Sequence, residues 1–380
     1  GAWTLGTTGG ATVIDGNIDG GDNSWTAAIT GANGITFNGT IADFGAMSIL
    51  TNTSDVNGAI QDFTSLVIGG TMDITDASNL GQGGDGTITL IDGATLLTDA
   101  DTTIDTDLTL DDGAGFGAST DVDLADNGTL TFTGIVPGTQ VIGQNITDIS
   151  DVMVNIAGGE INFTGTLSGM DSLAVNGGTV DLDQAALPVD TVTVGNGATL
   201  DVVDAGAFGE GAAGTLDLAT GSTFETDGDT TLNFDTVTVQ EGVSFGATTD
   251  VLFGADDNTL NISGNAGIQE TYGFDIDGGA GTDTLTVNDG GDINNSTVLN
   301  GDISNIETLT LVGGTLAGNV DTGAGDNTLL FNNSHITGSV TSGAGNDNLA
   351  FAGTSTISGT FDGGTGGDSI QLNGGSLTVD

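Results

Sequence analysis

The stretch TITL, at Thr87–Leu90, alternates polar threonine with apolar residues, and it recurs as TLTF at Thr129–Phe132 and as TVTV at Thr191–Val194. Alternation with a period of two is typical of a β-strand that buries one face. Recurrence at intervals of roughly 20 to 25 residues indicates a solenoid, whose coils bury their apolar faces only against neighbouring coils. Further copies of the pattern lie at Thr236–Val239, Thr284–Val287 and Thr308–Leu311.

One apolar position can be followed from copy to copy through most of the chain. We therefore predict an all-β, helix-free fold: a single parallel β-solenoid (β-helix) of roughly 16 to 18 coils, about 20 to 25 residues per coil. No linker composition divides the chain, so residues 1–380 are expected to form one continuous domain. The predicted inward residues are Met47, Leu66, Ile88, Leu108, Leu130, Met153, Leu173, Val192, Leu216, Val237, Leu260, Leu285, Leu309, Leu329, Leu349 and Ile370.

The charge balance limits the possible partners. The chain has no Lys or Arg but 52 Asp and Glu, for a net charge of −52. Nucleic-acid binding needs Lys and Arg contacts to phosphate, and docking on an anionic membrane needs basic segments, so both are excluded. The natural partners are cations. The hydrophobic share of 36% and its regular placement argue against an acidic disordered tail.

Cysteine usage and the first residues bear on localisation. No Cys is present, which excludes disulfides and thiolate metal sites. No apolar run is long enough to span a membrane as a helix. The chain begins at Gly1 without an initiator Met, so we expect a processed, secreted protein of the extracellular space or bacterial cell surface.

Turns rich in glycine and aspartate occupy the last third of the chain. The stretch GGAGTDTL at Gly278–Leu285 is followed by related turns at Gly323–Asn327, Gly343–Asp347 and Gly363–Asp368, with a looser one at Gly254–Asn258. Glycines let main-chain carbonyls converge, and carboxylates complete an oxygen cage suited to Ca²⁺. The alternative is that these clusters are simply the tight turns of a solenoid. The predicted metal ligands are Asp283, Asp326, Asn327, Asn346, Asp347 and Asp368.

The same turns resemble the RTX nonapeptide, which binds calcium between stacked turns. Two departures are that only one such turn occurs per coil and that position 327 has Asn in place of Asp. The coils at Thr328–Phe331, Ile336–Val340 and Leu349–Phe351 are similar to passenger domains of bacterial autotransporters and to other repetitive extracellular Gly/Asp-rich proteins. This resemblance implies a surface-exposed β-helix and no particular activity. Cysteine-free S-layer proteins are similar in composition.

The expected function is structural. The first strand-like segment, Ala2–Leu5, and the last, Gly374–Asp380, carry neither a capping helix nor a proline, so we predict head-to-tail self-assembly into a surface filament, sheath or layer, stabilised by calcium. The alternatives are an S-layer protein or a monomeric adhesin stalk, which would need a long irregular excursion from the coil. The longest irregular stretch is expected at Ile135–Ser150.

An enzyme is not expected. Polysaccharide lyases of the β-helix type use Arg or Lys, which this chain lacks. A carboxylate-dependent hydrolase, which would use a pair of acids, is a minor alternative. Pairs such as Asp256 and Asp257 are present, but they are expected by chance among 52 Asp and Glu residues. The single histidine, His335, is expected on the outer face, with Ser334 pointing the opposite way. The outward Thr-x-Thr ranks make ice binding a second minor alternative.

Overall fold

The computed structural model describes residues 1–7, 10–21, 25–75, 80–81, 86–98, 102–117, 121–134, 138–184, 186–202, 207–226, 228, 230–246, 249–264, 269–289 and 297–379. The described residues form β-strands and turns, without a helix. Their contacts separate into two compact units, Gly1–Gln184 (unit 1) and Ala185–Asp380 (unit 2). The expectation of a single domain stays a prediction, and each unit is described by itself below.

Unit 1 is a parallel β-solenoid. Every strand pairing whose register is known within it is parallel, and each strand pairs with the strand that follows it one coil later, as Leu66 with Ile88 and Leu108 with Leu130. Its strands are β1 (Ala2–Thr7), β2 (Thr12–Ile14), β3 (Ile18–Asp19), β4 (Thr26–Gly31), β5 (Ile35–Phe37), β6 (Ile41–Ala42), β7 (Phe44–Val56), β8 (Phe63–Ile74), β9 (Thr87–Thr98), β10 (Thr102–Thr103), β11 (Asp107–Asp111), β12 (Gly115–Phe116), β13 (Val122–Gly134), β14 (Thr139–Ile142), β15 (Ile146–Phe163) and β16 (Ser172–Leu182).

Unit 2 has the same architecture, and its strands between Val251 and Thr341 are only 2 to 5 residues long. Leu309 pairs with Leu329 and Leu329 with Leu349, so the coil there is 20 residues long. Its strands are β17 (Ala186–Leu187), β18 (Thr191–Val194), β19 (Thr199–Val202), β20 (Ala207–Leu218), β21 (Thr223–Thr226), β22 (Thr230–Val239), β23 (Ser244–Phe245), β24 (Val251–Phe253), β25 (Thr259–Ser263), β26 (Thr271–Tyr272), β27 (Ile276–Asp277), β28 (Thr284–Asn288), β29 (Val298–Leu299), β30 (Ile303–Ser304), β31 (Thr308–Val312), β32 (Thr315–Leu316), β33 (Val320–Asp321), β34 (Thr328–Asn332), β35 (His335–Ile336), β36 (Val340–Thr341), β37 (Asn348–Ile357), β38 (Phe361–Asp362) and β39 (Ser369–Val379).

The core consists of columns of apolar side chains that point into the coils. Leu329 and Leu349 are 0% exposed, and the rings of Phe331 and Phe351 stack with centroids 5.4 Å apart. Burying each such side chain contributes about 1.5 to 3 kcal/mol. The alternating threonines stay on the outer surface, as a period-two pattern requires. The predicted all-β, parallel β-solenoid is confirmed, with about 15 turns.

Two details of the sequence interpretation were wrong. Val152, and not Met153, is the inward residue of its coil, because Val152 pairs with Leu130 and is buried while Met153 is 36% exposed. Two apolar residues stand side by side there, and the strand register decides which one faces the core. The stretch Ile135–Ser150 is also less irregular than expected, since β14 and the start of β15 lie within it; residues 135–137 fall outside the described residues.

Candidate cation site

A column of acids and amides runs through unit 2 at the residue that immediately precedes each of six stacked strands. The strands β25, β28, β31, β34, β37 and β39 stack in register, so the residues before them stack as well. Parallel strands are about 4.8 Å apart, which places one polar side chain at each such step. We call this set the carboxylate–amide column; its members are Asn258, Asp283, Glu307, Asn327, Asp347 and Asp368.

Side chains of the column accept hydrogen bonds from the main chain of the preceding coil. The Asn258 N–H donates to Asp283 Oδ1 at 2.8 Å, and the Asp283 N–H donates to Glu307 Oε2 at 2.7 Å. Further along the column, the Asn327 N–H donates to Asp347 Oδ1 at 2.9 Å, and the Asp347 N–H donates to Asp368 Oδ1 at 3.2 Å. One carboxylate oxygen of each acceptor is thereby used to hold successive coils together.

The remaining oxygens of the buried members are unsatisfied. Asn258 is 4% exposed, and Asp283, Asn327 and Asp347 are each 1% exposed. Asp283 Oδ2, Asp347 Oδ2, Asn258 Oδ1 and Asn327 Oδ1 are buried without a hydrogen-bond donor. A buried acceptor without a partner costs about 1 to 3 kcal/mol, and more when it is charged. Four such oxygens in one column are therefore free to accept a hydrogen bond or to bind an external cation.

The amides of the column have a separate structural role. Asn327 Nδ2 donates to the carbonyl oxygen of Ser342 at 2.9 Å, and Asn258 Nδ2 donates to the carbonyl oxygen of Phe234 at 2.9 Å. A carboxylate at position 327 could not donate this bond, and it would add a negative charge beside Asp347. Asn327, a departure from the calcium pattern in sequence, is thus explained by the stacking of the coils.

Glycines let the turns beside the column stack closely. Gly343 has φ +83°, and a Cβ there would overlap the carbonyl oxygen of Gly323 in the preceding coil. Gly366 has φ +147°, and a Cβ there would overlap the carbonyl oxygen of Gly345. Side chains other than hydrogen are excluded at both positions because successive turns lie main chain against main chain. The close stacking keeps the buried oxygens away from water.

Burial changes the acidity of Asp283. Desolvation, helped by the carboxylates of Glu307, Asp257 and Asp277 and opposed by the hydrogen bond from the Asn258 N–H, raises the pKa of Asp283 from 3.8 to about 6. Such surroundings disfavour the ionised form of a carboxylate at neutral pH. The local field therefore favours a positive charge, from either a proton or a metal ion.

The structure divides the six predicted ligands between two columns. Asp283, Asn327 and Asp347 lie in the buried part of the carboxylate–amide column, and Asp368 lies at its exposed end. Asp326 and Asn346 are instead exposed and stack on each other, with the Asn346 N–H donating to Asp326 Oδ1 at 2.7 Å. The sequence analysis missed Asn258 and Glu307 as members of the column. Their position directly before a strand that begins with Thr-Leu, at Thr259 and Thr308, is the signal that could have found them.

The column fits a hard cation through its donor atoms. All of the unsatisfied atoms are oxygens, which Ca²⁺ prefers. In the described part of the chain, no three carboxylate or imidazole side chains lie close enough to hold a metal by themselves. A bound ion would therefore need amide and main-chain oxygens in addition to the carboxylates.

The lone histidine has the orientation expected from alternation. Ser334 is buried and its hydroxyl donates to the carbonyl oxygen of Leu311 at 2.8 Å. His335 is half-buried on the opposite side, where its Nδ1 contacts the hydroxyl of Thr356 in the next coil. The pair cannot act together on one substrate, because the two side chains point to opposite faces of the strand.

No protein-family model matches the chain, and no curated protein or solved structure shows significant similarity to it. Within the described residues, no helix has the length and apolar character needed to cross a membrane.

Proposed function

We propose that the chain is a calcium-stabilised structural β-solenoid of the bacterial cell exterior that assembles end to end. The observation that carries the proposal is the set of buried, unsatisfied oxygens in the carboxylate–amide column. Stacked coils that bury such atoms gain stability from a bound cation through linkage, because the ion binds the folded chain and not the unfolded one. The expected result is a solenoid that is rigid when calcium is present.

Calcium suits this column better than magnesium. Ca²⁺ accepts six to eight oxygen ligands in flexible geometry, whereas Mg²⁺ requires a near-ideal octahedron and releases water reluctantly. Asp283 and Asp347 would supply charged oxygens, and Asn327 would supply an amide oxygen. Asp368 would supply a carboxylate at the exposed end of the column. Asp326 and Asn346 of the exposed column would contribute weaker binding. When bound, the ion neutralises carboxylates that have no basic partner anywhere in the sequence.

The net charge supports an environment rich in cations. A charge of −52 with no Lys or Arg leaves every carboxylate dependent on ions from solution. Self-repulsion of this size destabilises the compact state unless it is screened or neutralised. Extracellular calcium modules bind with dissociation constants of about 10⁻⁴ to 10⁻³ M, in keeping with an exposed location. A location outside the cell follows from this argument as part of the proposal.

End-to-end assembly is supported by the strands at the two extremes of the described chain. Strand β39 pairs with β37 on one side, and its Ile370 and Leu372 are 51% and 56% exposed. Among the described residues, strand β1 is paired with β4. Strand β39 of one copy would pair with β1 of a second copy, which would cover the exposed Ile370 and Leu372. Such a heterologous contact does not close on itself and yields filaments.

Electron microscopy of the 380-residue chain tests the assembly. Uniform filaments are expected at millimolar calcium, and the double variant Ile370→Lys/Leu372→Lys should remain as single particles. The variant Thr337→Lys/Thr360→Lys adds the same charge at exposed side-surface positions and should still form filaments. Dispersed short particles of the unmodified chain would refute assembly and favour the monomeric stalk.

Calcium dependence is tested separately by thermal unfolding. The melting temperature should rise when calcium is added and fall again with chelator, at constant ionic strength. Magnesium at the same concentration should give a smaller rise. An unchanged melting temperature would refute the calcium part of the proposal while leaving the assembly test standing.

Ice binding remains a second candidate because of one specific observation. A single column of seven threonines runs in strict register over the outer face of unit 2. The neighbouring column is less regular, since Asp217, Asn261 and Leu330 interrupt it. A thermal hysteresis assay decides the matter: a gap between the melting and freezing points would favour this candidate. The seven residues are Thr191, Thr215, Thr236, Thr259, Thr284, Thr308 and Thr328.

A further inference from the structure

A cavity of about 260 Å³ lies in unit 2 between two adjacent coils. One side of it is formed by β23, which pairs with β21, and the other by β26, which pairs with β29 in the opposite direction along the solenoid. The cavity therefore sits where two strands at corresponding positions of adjacent coils face each other. Its volume is close to the lower limit of typical small-molecule sites.

Three aromatic rings form the inner wall of this cavity. Phe245 lies 4.5 Å from Phe274 and 5.9 Å from Tyr272, and Tyr272 lies 5.6 Å from Phe274, measured between ring centroids. Ser244 and Thr271 belong to the lining as well and add hydroxyl groups. Aromatic faces carry a negative quadrupole, so a cluster of rings around one space attracts a cation placed inside it.

Carboxylates strengthen this negative potential. Glu270 is 9% exposed; its Oε2 accepts a hydrogen bond from the Tyr272 hydroxyl at 3.2 Å and its Oε1 accepts one from the Gly242 N–H at 2.7 Å. Burial raises the pKa of Tyr272, and the charges of Glu270, Asp289 and Glu241 raise it further. The Glu270 carboxylate thus contacts the aromatic wall through Tyr272, and the sequence contains no Lys or Arg to balance its charge.

We propose that this cavity binds a small organic cation, an alkyl-substituted ammonium of the size of choline or tetramethylammonium. The partly exposed ring of Phe245 contacts the apolar methyl groups, while the buried rings of Tyr272 and Phe274 and the buried Glu270 carboxylate stabilise the charge. An anionic ligand is excluded by the same field, and a neutral ligand would gain only the apolar contact. A bare metal ion would find its oxygen ligands in the carboxylate–amide column and not against aromatic rings. This site is independent of the proposed calcium binding and of end-to-end assembly.

Tyr272 provides the readout, because it is the single tyrosine of the chain. Selective labelling of tyrosine therefore gives one set of ring signals in an NMR spectrum. Titration with choline in the presence of chelator should shift these signals in a saturable way. Its neutral isostere, 3,3-dimethylbutan-1-ol, should bind at least about tenfold more weakly, because it has the same shape without the charge. Equal binding of both probes, or binding of neither, would overturn the proposal.

Two variants identify the contributing groups. Phe274→Leu keeps an apolar side chain but removes one ring face, and Glu270→Gln removes the nearest charge; each should weaken choline binding by at least about fivefold. Glu160→Gln, which removes a half-buried charge in unit 1, should leave binding unchanged. Circular dichroism verifies that each variant is folded, and Phe245→Leu replaces Phe274→Leu if the latter is not. Folded variants that all bind choline as tightly as the unmodified chain would refute the assignment.

Discussion

Replacing Asp283 by asparagine should stabilise unit 2 at neutral pH in the absence of calcium. The variant retains Oδ1, which accepts the hydrogen bond from the Asn258 N–H, and it removes the charge from a side chain that is 1% exposed. Asparagine already occupies the same position of the column at Asn258 and Asn327, so the size of the side chain is compatible with stacking. Substituting a buried acid by its amide usually destabilises a protein when the acid is paired, and here the opposite is expected.

The magnitude follows from the pKa of Asp283, which is raised from 3.8 to about 6. The folded chain therefore binds this proton more tightly than the unfolded chain does. Its contribution to stability is greatest below about pH 4 and is lost as the pH rises through about 6. Two pKa units correspond to about 3 kcal/mol, which solvent screening reduces to about 1 to 2 kcal/mol. Asp283→Asn should recover this amount at neutral pH, a rise in melting temperature of roughly 2 to 8 °C.

Thermal unfolding in chelator, at about pH 5 and about pH 7.5, measures the effect. The gain of Asp283→Asn over the unmodified chain should be larger at the higher pH. Asp256→Asn is the matched control, since it removes one negative charge from an exposed position in the same unit. Added calcium should raise the melting temperature of the unmodified chain more than it raises that of the Asp283→Asn variant. The reasoning is refuted if Asp283→Asn is not more stable than the unmodified chain at the higher pH, or if Asp256→Asn gives the same gain.

Two further substitutions test the stacking of the coils. Gly343→Ala should destabilise unit 2 by about 3 kcal/mol or more, because its Cβ would overlap the carbonyl oxygen of Gly323. The control Gly221→Ala has a similar positive φ but open space around it, so it should cost only about 1 to 2 kcal/mol. Equal losses of stability for the two variants in denaturant unfolding would contradict the close contact. Phe331→Ala should cost about 3 to 5 kcal/mol in the same assay, since it removes a fully buried ring that stacks on Phe351. A loss below about 1 kcal/mol would show that this part of the column is not packed as described.

The two-residue alternation and the repeat spacing of the sequence were sufficient to predict the fold. Alternation of threonine with apolar residues determines which side of a strand is buried, and a repeat of about 20 to 25 residues leaves parallel stacking as the way to bury every apolar face. Where the alternation is ambiguous, the prediction was wrong. At Val152 and Met153 two apolar residues are adjacent, and only pairing with Leu130 decides that Val152 lies inside.

The candidate site was predictable in part. Asp283 and Asp347 could be recognised as turn carboxylates, but their burial could not, because it results from neighbouring coils that lie close above and below them. Asp326 and Asn346 look equivalent to them in sequence and are exposed in the structure. One position along a strand or turn separates an inward side chain from an outward one, so the two columns differ completely in their access to water.

The sequence by itself determined the type of fold and the outward threonine ranks, because these depend on local alternation and repeat spacing. The tertiary structure alone decided which side chains stack on one another. Coil length varies from 25 residues between Leu260 and Leu285 to 20 between Leu329 and Leu349. Residues at different distances along the chain are therefore brought into one column only by the strand register, and that register places Asn258 and Glu307 with Asp283 and joins three aromatic rings around a cavity.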